Sequence, residues 1–346
     1  MNFKWLSLFL ALIISFTANS QVEIDTSAED TVQVSDRYID YSDQLLLKVM
    51  SVVKSNELMI LNTNNKQSIS LKPYGISSLG FGFNYKWLGL GIAFGLPASA
   101  EEEELYGKTS RFDFQLNIYS KKFVIDAFAQ QYRGFYVANP NGLGPWNETS
   151  FPKRETMETF SLGVGGYYVF NHKKLSYKAA YVRNAVQKKS AGSFLLGGFY
   201  NIDYGGFPRG DTNSFVPAYF PTETQDSLPI NAYTSRSFGV SFGYTYTLVF
   251  FKKFFINLSL IPGAGSKNLV VYKNGIRHEE RSPMGRFNGR VAFGFESKHF
   301  LIGLTSNSVI GTLVFEDYEI KPSVSNVKFF IAKRFSLKKK KEQTLE

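Results

Sequence analysis

Residues 237–248 read Ser-Phe-Gly-Val-Ser-Phe-Gly-Tyr-Thr-Tyr-Thr-Leu. Phe238, Val240, Phe242, Tyr244, Tyr246 and Leu248 share one parity, and Ser237, Gly239, Ser241, Gly243, Thr245 and Thr247 share the other. Side chains alternate across a strand, so this stretch makes one long aromatic face and one face of small and polar groups. A soluble sandwich has the same period with its apolar face inward. Here the length of the apolar face and the Gly, Ser and Thr opposite it fit a strand with lipid on one side and a polar lumen on the other.

The pattern recurs outward from this stretch. Leu79, Phe81, Phe83 and Tyr85 alternate with Gly80, Gly82 and Asn84; Leu88 to Leu96 alternate with Gly89, Gly91, Ala93 and Gly95. Phe112, Phe114, Leu116 and Ile118 alternate with Arg111, Asp113, Gln115 and Asn117, and Val291, Phe293 and Phe295 with Arg290, Ala292, Gly294 and Glu296. Aromatics crowd strand ends at Tyr85/Trp87, Phe135/Tyr136 and Phe250/Phe251, as in interfacial girdles. Short lysine-bearing turns (Lys86, Lys121-Lys122, His172-Lys173-Lys174, Lys252-Lys253, Lys298-His299) separate long polar connections at 97–108, 138–154, 204–231 and 266–283. That asymmetry matches periplasmic turns and external loops. The fold class is therefore all-β: a single antiparallel transmembrane up-and-down β-barrel after a cleaved signal peptide.

Strands are expected near 44–53, 76–86, 87–97, 109–120, 121–136, 155–170, 174–186, 190–203, 232–250, 253–263, 285–297, 298–313 and 322–335. These are thirteen, whereas single-chain bacterial barrels take even numbers. The conflict localises to 204–231, where Phe215–Phe220 is the candidate hidden strand. About 12–14 strands are expected, with fourteen favoured by parity. In the last strand Val327, Phe329, Ile331 and Phe335 share a face that Lys333 interrupts, near enough to its end to snorkel.

The flanks give the domain plan. Lys4, the apolar run Leu6–Phe16 and Ala18-Asn19-Ser20 form a secretory signal over 1–20, with Gln21 first after cleavage. The apolar run is shorter than the ~20 residues a spanning helix needs. A polar, acidic lead-in over 21–43 reads as flexible, the barrel occupies 44–336, and a basic tail covers 337–346.

Composition excludes several chemistries. There is no Cys, hence no disulfide, thiolate site, cysteine nucleophile or lipoprotein anchor. The net charge of +10 sits largely in turns and tail, so nucleic acid is not an expected partner. Of three histidines, His172 and His299 lie in turns, and His278 lies with Glu279 and Glu280 in a polar loop that reads as solvated, so no metal is expected. Gly239-Val240-Ser241-Phe242-Gly243 matches G-x-S-x-G, but that motif needs a strand-to-helix elbow and here lies mid-strand. Glu101–Glu104 fall in an external loop.

Several stretches resemble a known family: Tyr85-Lys86-Trp87-Leu88-Gly89-Leu90, Phe112-Asp113-Phe114-Gln115-Leu116-Asn117, Tyr132-Arg133-Gly134-Phe135-Tyr136, Phe170 to Tyr177, and Lys188 to Ser193. The chain resembles, over roughly 40–335, the group called domain of unknown function 4421, outer-membrane barrels mostly from Bacteroidota. The resemblance implies a barrel of unassigned role and supplies no catalytic residues.

The candidate site is a lumen network of inward charges: Arg111, Asp113, Asp126, Arg236, Arg290 and Glu296. It reads either as salt bridges filling the lumen or as a constriction that selects solutes. No catalytic set or cofactor is expected. The leading role is structural or a narrow small-solute channel in the Gram-negative outer membrane. Alternatives are a barrel-embedded envelope lipid or glycan enzyme, or an adhesin or export-complex partner. Expected partners are outer-membrane lipid, the barrel-assembly machinery during biogenesis, and small solutes or envelope proteins.

Overall fold

A computed structural model describes residues 33–34, 36–75, 77–86, 88–208, 213–297 and 300–336. The expected signal peptide, most of the lead-in and the tail from 337 lie outside the described residues. The strands are β1 (Gln33–Val34), β2 (Tyr38–Asp40), β3 (Leu45–Asn62), β4 (Ser68–Lys72), β5 (Ser77–Tyr85), β6 (Leu88–Gly95), β7 (Ser110–Tyr119) and β8 (Phe123–Val137). They continue with β9 (Lys153–Val169), β10 (Ala185–Gln187), β11 (Ala191–Gly206), β12 (Ile230–Phe250), β13 (Phe254–Lys273), β14 (Ile276–Glu296), β15 (Phe300–Phe315) and β16 (Tyr318–Phe335). Three short helices, α1 (Ala100–Tyr106), α2 (Tyr177–Tyr181) and α3 (Thr222–Ser227), lie in connections.

Twelve strands close into an antiparallel ring: β3, β5, β6, β7, β8, β9, β11, β12, β13, β14, β15 and β16, with β16 pairing back onto β3. Outside the β6–β7 seam, closure removes the free edges that hydrocarbon would penalise. The end holding Leu45 and Phe335 is called lower here. The upper end carries the long connections.

The ring changes size along its axis. β3 pairs with β5 over 46–53, then with β4 over 58–61. β4 in turn pairs with the end of β8, Leu71 with Val137 and Lys72 with Tyr136. Above the tops of β5, β6 and β7, β4 alone takes their place, so a twelve-strand ring narrows to ten. A bulge makes the junction. Gly134 adopts φ 89°, and the β8–β9 register shifts between Arg133 and Phe135. A Cβ at Gly134 would run into the Lys108 carbonyl, so only glycine fits. Thr109 Oγ1 donates to the Gly134 carbonyl at 2.8 Å and accepts from the Tyr74 amide at 2.9 Å, tying the three segments together.

The two levels have opposite polarity. Around the lower ring Phe238, Val240, Phe242, Phe293, Ile302 and Phe329 point outward, while Ser237, Ser241, Thr245, Asn257 and Ser259 are buried inside. In the upper part the interior is an apolar core that includes Leu58, Tyr132, Phe135, Phe215, Leu269 and Ile320. Its outer face carries Arg236, Arg277, Glu279, Arg281 and Lys321. The lower level is thus built for lipid and the upper level for water.

The structure corrects several expectations. Residues 174–186 are not a ring strand; they fold into the lower mouth, and removing them from the thirteen leaves twelve. No strand hides in 204–231 among the described residues: the segment inserts Phe207, Phe215 and Phe220 into the upper core and forms α3. The fourteen favoured by parity was therefore the wrong resolution. Residues 266–283 are not a long loop but the top of the β13–β14 hairpin, turned at Asn274 (φ 51°) and Gly275 (φ 76°). His172-Lys173-Lys174 opens a long lower connection rather than a short turn. Phe135 is buried inside rather than part of a girdle, because the extra residue at the bulge reverses the parity of β8. In the lead-in, Tyr38–Asp40 pair with β10, so this part is held. Lys333 points outward as expected, its ammonium 5.5 Å from the Phe300 ring and 5.4 Å from that of Phe335.

Candidate functional site

The site is the lumen of the lower ring, closed from below by the β9–β11 connection. Leu175, Tyr177, Ala180 and Val182 are buried there. Tyr181 donates to Asn257 Oδ1 at 2.6 Å, and Tyr177 donates to Ser259 Oγ at 3.3 Å. Asn84 donates to the Val182 carbonyl, and Asn184 Nδ2 to the Lys86 carbonyl at 2.8 Å. Glu296 clamps the segment to the wall: it pairs with Arg183 and, at 2.5 Å, with Arg334, which also donates to the Arg183 carbonyl at 2.9 Å. Below, Lys178 Nζ meets Asp40 Oδ2 at 3.0 Å. Burial alone would raise the Asp40 carboxyl, yet the Lys178 ammonium and the Ser42 hydroxyl hold it below the usual carboxylate range.

Between this plug and the upper core lies a cavity of about 1070 Å³. Its wall includes Arg111, Asp113, Asp126 and Arg290, four of the six residues expected in a lumen network. Arg290 pairs with Asp126 at 2.6 Å and donates to Tyr119 Oη at 3.0 Å. Asp113 pairs at 2.6 Å with Lys54 and accepts from Gln130 at 2.6 Å. Arg111 donates instead to the Ser77 carbonyl at 2.8 Å and Ser78 Oγ at 2.9 Å. Glu296 is inward but serves the plug. Arg236 is misplaced in that set: it shares the parity of Phe238 and is exposed on the outer wall, just above the apolar belt.

Sequence reasoning missed Lys48, Lys54, Lys328 and Arg183, all on the cavity wall. Parity held the signal for three of them. Lys48 and Lys54 share the inward parity of Met50 and Val52, and Lys328 that of Phe330 and Ala332. The wall holds six cationic side chains and two carboxylates. Lys48 reaches Asn84 Oδ1 at 3.4 Å and Lys328 reaches Gln115 Oε1 at 2.9 Å. With Arg111, these two have no carboxylate partner among the described ion pairs. Arg111 Nη1 is buried without a hydrogen-bond partner. Buried charges are normally paired, so three unmatched cations around one cavity favour an anion there.

Other candidate chemistry stays apart. Ser241 is buried mid-way along β12. His172 Nδ1 lies 3.1 Å from the Val169 carbonyl oxygen, and the His278 ring packs 5.6 Å from that of Phe315. Glu279 binds Arg277 and Glu280 binds Lys267, on opposite faces of β14. Glu101, Glu102 and Glu103 form the first turn of α1, where Ser99 and Glu102 make a reciprocal capping box. His299 lies outside the described residues.

The family pattern described as Domain of unknown function (DUF4421) matches residues 28–335. The chain belongs to the DUF4421 family. No curated protein matches this DUF4421 chain. Among solved structures, the outer-membrane protease OmpT of Escherichia coli is similar, with 9% identity, TM-score 0.38, and 88% of this chain and 100% of that one covered. Ail, the attachment invasion locus protein of Yersinia pestis, shows 11% identity and TM-score 0.24 over 61% of this chain and 96% of its own. OmpT of Vibrio cholerae shows 9% identity and TM-score 0.30 over 88% and 100%.

Proposed function

We propose that the protein resides in the outer membrane of a Gram-negative envelope and acts without catalysis, holding a small anionic molecule in a lumen chamber blocked above and below. The observation that carries this reading is the cavity of about 1070 Å³ whose wall bears six cations against two carboxylates. The apolar belt of the lower ring supports the location, with the lower end periplasmic and the upper extension external. The plug below and the apolar core above favour a holding chamber over a continuous channel.

Native mass spectrometry of protein extracted from its own membrane tests the reading. An anionic adduct is expected on the wild type and is expected to vanish in Lys48→Gln/Arg111→Gln/Lys328→Gln. In planar bilayers the wild type is expected to stay silent, and removal of residues 173–187 alone to leave it silent, because the upper core still closes the other end. An adduct-free wild type that conducts steadily would overturn it in favour of a passive channel.

A further inference from the structure

The chamber wall is incomplete at one seam. Most neighbouring ring strands share ladders of eight rungs or more, whereas among the described residues β6 and β7 share two rungs, Leu88 with Ile118 and Gly89 with Asn117. From Leu90 to Gly95 on β6, and from Ser110 to Leu116 on β7, the facing edges form no ladder with each other. At 3.3 Å per residue the opening runs for about 20 Å, most of the height of the apolar belt. Its upper limit is Arg111, whose guanidinium passes beneath Gly95 to reach Ser77 and Ser78 on β5. A Cβ at Gly95 would collide with that guanidinium.

Two features show that the slit leads inward. Along β6, residues 91–95 are exposed on both faces, whereas the inward face of β12 and β14 is packed. Also, outward residues at the seam (Phe81, Leu90, Ile92, Phe94, Phe112 and Phe114) border the same cavity as Lys48, Arg111 and Lys328. Open backbone edges are tolerated at membrane depth where they line a polar cavity. The lips are apolar and face acyl chains; the chamber behind them is cationic.

Resting on the chamber reading above, we infer that the β6–β7 slit is a lateral portal through which an acyl lipid with an anionic head group enters from the surrounding bilayer. The head group is held by Lys48, Arg111 and Lys328, and the acyl chain lies between the aromatic lips. This occupant matches both halves of the opening. A water-soluble anion has no use for lips of Ile92 and Phe94, each 66% exposed to the hydrocarbon side. A neutral lipid leaves the three cations unmatched.

The test uses the full-length protein refolded in phosphatidylcholine vesicles with photoactivatable diazirine palmitate as the probe. Mapped crosslinks are expected on inward residues such as Met50 and Asn326, with diazirine phosphatidylcholine leaving them unlabelled. The register of the two rungs places Ile92 opposite Phe114, and the chain has no native cysteine. Bridging Ile92→Cys and Phe114→Cys with a short bismaleimide is expected to cut inward labelling at least tenfold relative to the same double variant left unbridged. Lys48→Gln/Arg111→Gln/Lys328→Gln is expected to give a similar loss with heat-modifiable folding retained. Inward labelling that survives the bridge but fails in the triple variant overturns the portal and leaves the anion chamber standing. Labelling unaffected by the triple variant, or confined to the outer belt of all strands alike, overturns both.

Discussion

At the residue scale the lumen is governed by pairing. Arg290 is buried, packs near the rings of Tyr167 and Tyr181, and depends on Asp126 for its countercharge. Asp126→Ala leaves that guanidinium uncompensated and is expected to cost about 3–5 kcal/mol, read from the denaturant midpoint in detergent or lipid. Asp126→Ala/Arg290→Met is expected to recover most of the loss, since replacing a buried pair with apolar groups is often neutral. A different pair holds α1 outside the membrane. Tyr74 donates to Glu102 Oε1 at 2.5 Å, which pushes the phenol up to about 12 and holds the carboxyl below its ordinary 4.5. A lowered carboxyl contributes above its unfolded value and is lost as pH falls through its folded one; a raised phenol contributes below 10 and is lost as pH rises through about 12. Proteolytic protection of residues 97–109 is therefore expected to be flat between about pH 5 and 10 and to fall on either side, and Tyr74→Phe to abolish the alkaline limb. Which cations line the lumen was legible by parity: Lys48, Lys54 and Lys328 each sit opposite an outward apolar residue. They were hidden because β3 carries apolar residues on both faces, so its period is faint. The same parity puts Arg236 outside, beside Phe238, against its expected place in the lumen network. Nothing local marked Arg183, whose burial depends on a folded connection.

At the element scale, period two locates strands only where one face meets lipid. Residues 276–283 read Ile-Arg-His-Glu-Glu-Arg-Ser-Pro, polar on both faces, because this part of the hairpin stands in water. The Asn274-Gly275 pair was the available signal, a preferred sequence for the tight turn that the hairpin makes. The plug misled for the opposite reason. Tyr177, Ala179, Tyr181 and Ala185 mimic alternation, yet the segment is held by hydrogen bonds from Tyr177 and Tyr181 to β13, which no local window contains. The bulge at Gly134 gives the sharpest element-scale expectation. Gly134→Val puts a branched side chain at φ 89° against the Lys108 carbonyl, and strain of this kind is on the order of 1–3 kcal/mol. The damage is expected to centre on the β4–β8 junction, seen as faster amide exchange at Leu71 and Val137 with exchange in β12–β14 unchanged.

At the scale of the whole molecule, ring closure and inverted polarity are one design. The twelve-strand level presents apolar groups to lipid and polar groups to its lumen; the ten-strand level reverses both. Unheated protein in dodecyl sulfate is expected to migrate faster than boiled protein, and Leu58→Ala in the upper core to lower the transition temperature without changing membrane extraction. Parity of strand number was legible from the sequence; which segment broke it was not, because that depended on the plug.

The ladder between β16 and β3 runs from Tyr318 opposite Asn62 to Phe335 opposite Leu45. It joins nearly the first strand of the chain to the last, which imposes an order in time. While the ribosome is still making residues 318–335, β3 has no permanent neighbour on one side, and β15 none on the other. The seam of the cylinder can be sewn only once residues 318–335 have been made, and until then the free edges of β3 and β15 are open to pairing with other copies.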